Sequence, residues 1–95
     1  MLAKVVDLYV SSSCRLIEAL RAGVVAADSE AVRSAAHALA SSSANVGAVG
    51  LTDLCRQLEG LARDGHLAVA PALADRAAEL HRQVLRTLAA KVATP

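Results

Sequence analysis

The stretch His37-Ala-Leu-Ala-Ser-Ser-Ser-Ala-Asn-Val-Gly47-Ala concentrates the chemistry of this chain in one side chain. Histidine offers a ring nitrogen whose lone pair can attack an electrophilic centre, and an ordinary imidazole titrates near about 6.5, so such rings keep a neutral fraction at cellular pH. In a helix the residues three, four and seven positions later share a side chain's face, and after His37 these are Ala40, Ser41 and Ala44. Nothing bulky shields the ring, and another protein can reach it. Ser41, Ser42 and Ser43 have no acid–base pair arranged around them, so small size explains them better than hydrolase chemistry. His66 follows Gly65 and His81 falls in the last helical pattern; neither makes a metal-like spacing with His37, so no metal site is expected and both are placed on the surface. Cys14 and Cys55 match no metal or redox spacing and read as reduced, buried thiols.

Four segments carry apolar residues at helical spacing. The first runs from about Leu2 to Val24, with Leu2, Val5, Val6, Tyr9, Leu16, Leu20 and Val24 along an inner stripe that Ser11, Ser12 and Ser13 weaken. Asp28 or Ser29 can cap a second helix, Glu30 suits its positive end, and Val32, Leu39 and Val46 recur on the side that turns His37 outward. Gly47 and Gly50 punctuate the next connection; Leu51, Leu54, Cys55, Leu58 and Leu61 then form a third stripe ending near Gly65. Pro71 suits the first turn of a last helix, whose seam is Leu73, Ala77, Leu80, Val84, Leu88 and Val92. Strand signals are absent. Long amphipathic helices with short connections predict an all-α, antiparallel up-down-up-down four-helix bundle, formed as one domain over residues 1–95.

Composition narrows the partners. Ten basic against nine acidic residues leave a formal charge of +1, which argues against a polyanion binder, and Tyr9 alone gives no stacking platform, so nucleic acid is not expected. No apolar run approaches the roughly 18 residues of a membrane span, so the expectation is a soluble cytoplasmic chain without direct membrane contact.

His37 through Ala48, followed by the helix Leu51-Thr-Asp-Leu-Cys-Arg-Gln-Leu-Glu59, resembles the histidine-containing phosphotransfer (HPt) domains of bacterial phosphorelays. That family has a histidine, a lysine three later, small residues, a hydrophobe and glycine, then an acid or amide on the next helix; His37, Ser41, Ser42, Gly47 and Glu59 match it. One position departs, because Ala40 stands where the family usually has lysine.

The resemblance implies a phosphorelay shuttle. His37 would accept a phosphoryl group from a receiver-domain aspartate and pass it to another receiver; the chain is a carrier rather than an enzyme, and Mg²⁺ is expected on the receiver, with no cofactor of its own. Glu59 would orient His37 through Nδ1, and Arg63, a turn beyond Glu59, would replace the missing charge. Ala40, Ser41, Ala44, Gly47 and Arg56 are read as the receiver-docking surface. A monomer is expected, free-standing or cut from a hybrid sensor histidine kinase, in which case it would lie at the inner face of the membrane. Two other classes compete. A kinase dimerisation domain usually has an acidic residue directly after its histidine, where this chain has Ala38, and builds its bundle from two chains. An interaction module that keeps the bundle but transfers phosphate poorly is favoured by Ala40 alone.

Overall fold

The apolar periodicity folds into four helices: α1 (Leu2–Val25), α2 (Ser29–Asn45), α3 (Val49–Arg63) and α4 (Ala70–Ala93). The structure is a computed structural model that describes the backbone of residues 2–93 and the side chains of residues 4–91. Each helix packs on its neighbours in the chain and α1 closes against α4, with the broadest interface between α2 and α3, giving the expected bundle some 46 Å long. The described residues contain no strand.

The inner faces are leucine at the centre and alanine at the seams. Leu20, Val32, Leu39, Leu51, Cys55 and Leu58 are wholly buried, and Ala35, Ala36, Ala40, Ala62, Ala77 and Ala78 let the helices approach closely between them. Gly23 has the same role on α1: a Cβ there would lie 3.1 Å from both the backbone nitrogen and a methyl of Val32, so the start of α2 sits directly on it. The predicted stripes need adjusting at several points. Val5 is 54% exposed rather than inward, whereas Ile17 and Ser13 point into the bundle. Leu16, Val24, Val46, Leu61, Leu73, Leu80 and Val84 are half-buried, and the side chains of Leu2 and Val92 lie outside the described residues.

All three connections begin with the same hydrogen-bonded stop. After α2, Gly47 N–H donates to the Ala44 carbonyl and Ala48 N–H to that of Ser43; after α3, Gly65 and His66 donate to Ala62 and Leu61. The residue at the centre of such a Schellman turn needs a left-handed backbone, and Gly47 (φ +76°) and Gly65 (φ +75°) supply it without strain. After α1 the same pattern runs through Ala27, at φ +52°, where a Cβ must be tolerated. Asp28 then accepts from Ala31 N–H at 3.1 Å and caps α2, as its position suggested.

A polar group occupies the middle of the bundle. Tyr9 Oη and Ser43 Oγ lie 3.0 Å apart, joining α1 to α2, and His81 Nε2 lies 2.8 Å from Ser13 Oγ, joining α4 to α1. The tyrosine and histidine rings are 6.4 Å apart between centroids, tilted by 53°. His81, expected on the surface, is therefore a core residue: its partner lies on another helix far away in sequence, and its single polar bond is satisfied inside. Burial, helped by the nearby Arg82 charge, pushes its pKa below the ordinary imidazole value, and burial raises that of the Tyr9 phenol.

Two stability effects follow. Ala27→Gly removes a left-handed alanine that costs about 1 kcal/mol, so the variant is expected to unfold at higher urea, partly offset by the freer unfolded chain. Because the folded pKa of His81 is lowered, the unfolded chain takes up a proton that the folded chain does not, and stability falls as pH drops below about 6.5. Urea midpoints at pH 7.5 and 5.5 should show a smaller acid loss for His81→Gln than for the parent; equal losses would assign the acid sensitivity to other groups.

Candidate functional site

On α2 the buried residues Val32, Ala35, Ala36, Leu39, Ala40 and Ser43 define one side, and His37 stands on the other with a 58% exposed side chain. Ser41, one turn later, and Ala44, two turns later, are exposed beside it, and Gly47 is exposed in the turn that ends the helix. Ser42 folds back onto its own helix, donating to the carbonyls of Ala38 and Leu39, so its hydroxyl is not presented as a nucleophile. The expected small-residue platform around the ring is present with one exception. Ala40 is completely buried and belongs to the core, because a three-residue step rotates a side chain to one flank of the histidine face and here that flank is the seam of the bundle. It is not part of an exposed docking surface.

The α3 helix brings Glu59 to the ring. Leu51, Leu54, Cys55, Leu58 and Ala62 bury its inner side, which leaves Glu59 at the α2–α3 seam with only 18% of its side chain exposed. Glu59 Oε2 lies 2.8 Å from His37 Nδ1, a bond between residues 22 apart in sequence. A carboxylate accepts, so in the neutral ring Nδ1 carries the proton and Nε2 the lone pair; among the described residues Nε2 has no partner.

Cations flank this pair. Arg56, one turn before Glu59 on α3, places Nη1 3.6 Å from Glu59 Oε1, so the two oxygens of one carboxylate face two different groups. Arg63, expected to serve the phosphoryl group, is 68% exposed, with Nε 3.9 Å from Asp64 Oδ1 and a terminal nitrogen over Gly60. The structure brings together His37, Glu59 and Arg56 and leaves Arg63 outside that set. Arg33 went unremarked in the sequence. It stands one turn before His37, donating to Glu30 through Nε (3.1 Å) and Nη2, and the pairing holds the Glu30 carboxyl below its usual range. Its four-residue spacing from His37 was the available signal.

No group of three or more His, Cys, Asp or Glu side chains is arranged to hold a metal ion among the described residues, and no described helix is long and apolar enough to cross a membrane. Cys14 and Cys55 are free thiols; Cys55 is buried as expected, whereas Cys14 is only partly covered.

Comparison with curated proteins gives no match. Among solved structures, the crystal structure of histidine-containing phosphotransfer protein B (HptB) from Pseudomonas aeruginosa PAO1 is similar, with a TM-score of 0.89 at 33% identity over 92% of this chain and 76% of that one. The Hpt domain family model matches residues 4–93, which takes in all four helices and both members of the His37–Glu59 pair, and the chain belongs to the Hpt domain family.

Proposed function

We propose that His37 is the phosphorylated residue of this Hpt domain, taking a phosphoryl group from the aspartate of one response-regulator receiver and delivering it to the aspartate of another. Family membership supports a phosphotransfer intermediate acting with receiver domains. The observation that carries the residue assignment is the exposed ring whose Nδ1 is bound to Glu59 at 2.8 Å while Nε2 is free.

The lone pair of Nε2 attacks the phosphorus of the aspartyl phosphate; the N–P bond forms, the P–O bond to the aspartate breaks, and the carboxylate leaves with the electron pair. The imidazole, still protonated at Nδ1, becomes a cation as this happens. Glu59 stabilises that charge through the hydrogen bond already in place and keeps the ring from rotating, so it orients the nucleophile without removing a proton. Transfer to the second receiver reverses the steps. Mg²⁺ on the receiver supplies countercharge for the phosphoryl oxygens. Ser41, Ala44, Gly47 and Arg56 are the exposed residues around the ring that a docked receiver would meet. The chain acts as a monomeric cytoplasmic carrier, or at the inner face of the membrane where it forms part of a sensor kinase.

His37→Gln is expected to abolish acid-labile labelling from a phosphorylated receiver with helicity intact; normal labelling overturns the assignment. Glu59→Ala should slow single-turnover transfer by about 10–100-fold, the scale on which metal-binding histidines depend on the partner that orients them, with Glu59→Gln, which still accepts from Nδ1, falling between. Ser41→Trp should cut transfer on the order of a hundredfold by displacing the receiver's aspartate by about 1 Å or more, while urea unfolding stays near that of the parent because Ser41 is exposed.

A further inference from the structure

A phosphoryl group on His37 brings two negative charges to a ring whose nearest acid is Glu59. The family's lysine position holds Ala40, uncharged and inside the core, and Arg63 stands on α3 beside Asp64. Positive charge on the histidine's own helix comes from Arg33. Residues four apart lie on one face of a helix, so Arg33 rises one turn before His37 on the histidine's own face. The hydrogen bond and ion pair with Glu30 raise the pKa of the Arg33 guanidinium further above its already high value, so the side chain is a permanent cation.

The contact with Glu30 is exposed: the two side chains are 39% and 73% accessible, and ion pairs in water are weakly held. Glu30 extends the arginine toward the start of α2, and the fork of a guanidinium matches the non-bridging oxygens of a phosphoryl group in the same planar way as it matches a carboxylate.

Resting on the reading of His37 as the acceptor, we infer that Arg33 is the phosphoryl-binding cation of this domain, parked on Glu30 in the resting chain and exchanging that carboxylate for the phosphoryl oxygens once Nε2 is loaded. The exchange trades the hydrogen bonds to Glu30 for hydrogen bonds to the phosphoryl oxygens and changes no covalent bond of Arg33; it moves the countercharge that the family pattern places after the histidine to one turn before it. Glu30 then competes with the phosphoryl group for the same fork, which makes it a tuning residue for the loaded state.

The test uses the whole chain and phosphoramidate, a small donor that needs no receiver, with initial rates of phosphohistidine formation followed by phosphorus NMR. Arg33→Ala should lower the rate about tenfold, as expected for losing one charge-assisted contact, with Arg33→Lys recovering it to within roughly threefold and Glu30→Gln no slower than the parent. Circular dichroism confirms that the exposed substitutions leave the helices formed. The side-chain Nε–Hε resonance of Arg33, identified by its loss in Arg33→Lys, should shift on phosphorylation of the parent chain, a signature that a purely structural arginine would not give. An Arg33 resonance indifferent to loading, or an Arg33→Ala rate within twofold of the parent, overturns the inference while leaving His37 as the acceptor. Failure of the parent to carry any label on His37 removes the acceptor assignment and this inference together.

Discussion

The 2.8 Å hydrogen bond between His37 Nδ1 and Glu59 Oε2 tolerates little error in how α2 and α3 are spaced and rotated, and most of the chain is arranged to fix those two quantities. Alanines at 35, 36, 40 and 62 set the spacing by letting backbones approach where leucines would hold them apart. Rotation is set by Leu39 on one helix and Leu54 and Leu58 on the other, which cannot leave the core without exposing their whole side chains. The Gly47 turn joins the two helices through residues 46–48, so a displacement of one is passed to the other. Helices α1 and α4 close the remaining sides of the bundle, and α1 carries Tyr9 to Ser43, two residues beyond Ser41 on the helix of the acceptor.

Around that bond the charges are ordered so that one carboxylate serves two partners. Glu59 gives one oxygen to the ring and the other faces Arg56, which restrains it from rotating away from Nδ1. Its low exposure strengthens the interaction relative to one in open water, while Nε2 stays at the surface where a partner's acidic site can approach. The domain is thereby asymmetric about a single ring: a fixed, partly dry anion behind it and an open face in front.

Much of this was legible in the sequence because it is local. Helix periodicity, the capping aspartate Asp28, the glycines at 47 and 65, and the outward placement of His37 all depend on residues within a turn or two of each other. The pairing of His37 with Glu59 came from the family pattern, since nothing in periodicity alone brings residues on two helices into register. What was misread depends on distant contacts or on choices between near neighbours. His81 finds Ser13 only after α4 folds onto α1. Ala40 differs from Ser41 by one step of rotation, enough to move it from the surface to the core. Which anion the long side chain of Arg63 meets is likewise not written in helical spacing; it lies 3.9 Å from Asp64. Val5 is one step of rotation from the buried Val6, enough to turn it out to solvent at the same level of α1.

Cys55 lies one turn before Glu59 on the inner side of α3, with its thiol wholly buried and its pKa pushed up to about 12 by burial. A thiol that is both inaccessible and protonated does not react with disulfide reagents until the helix separates from its neighbours, and in water the released group returns toward an ordinary cysteine value. Glu59 rides on that same helix. Thiol exchange at Cys55 therefore reads out opening of the core around α3, the helix whose carboxylate holds the imidazole.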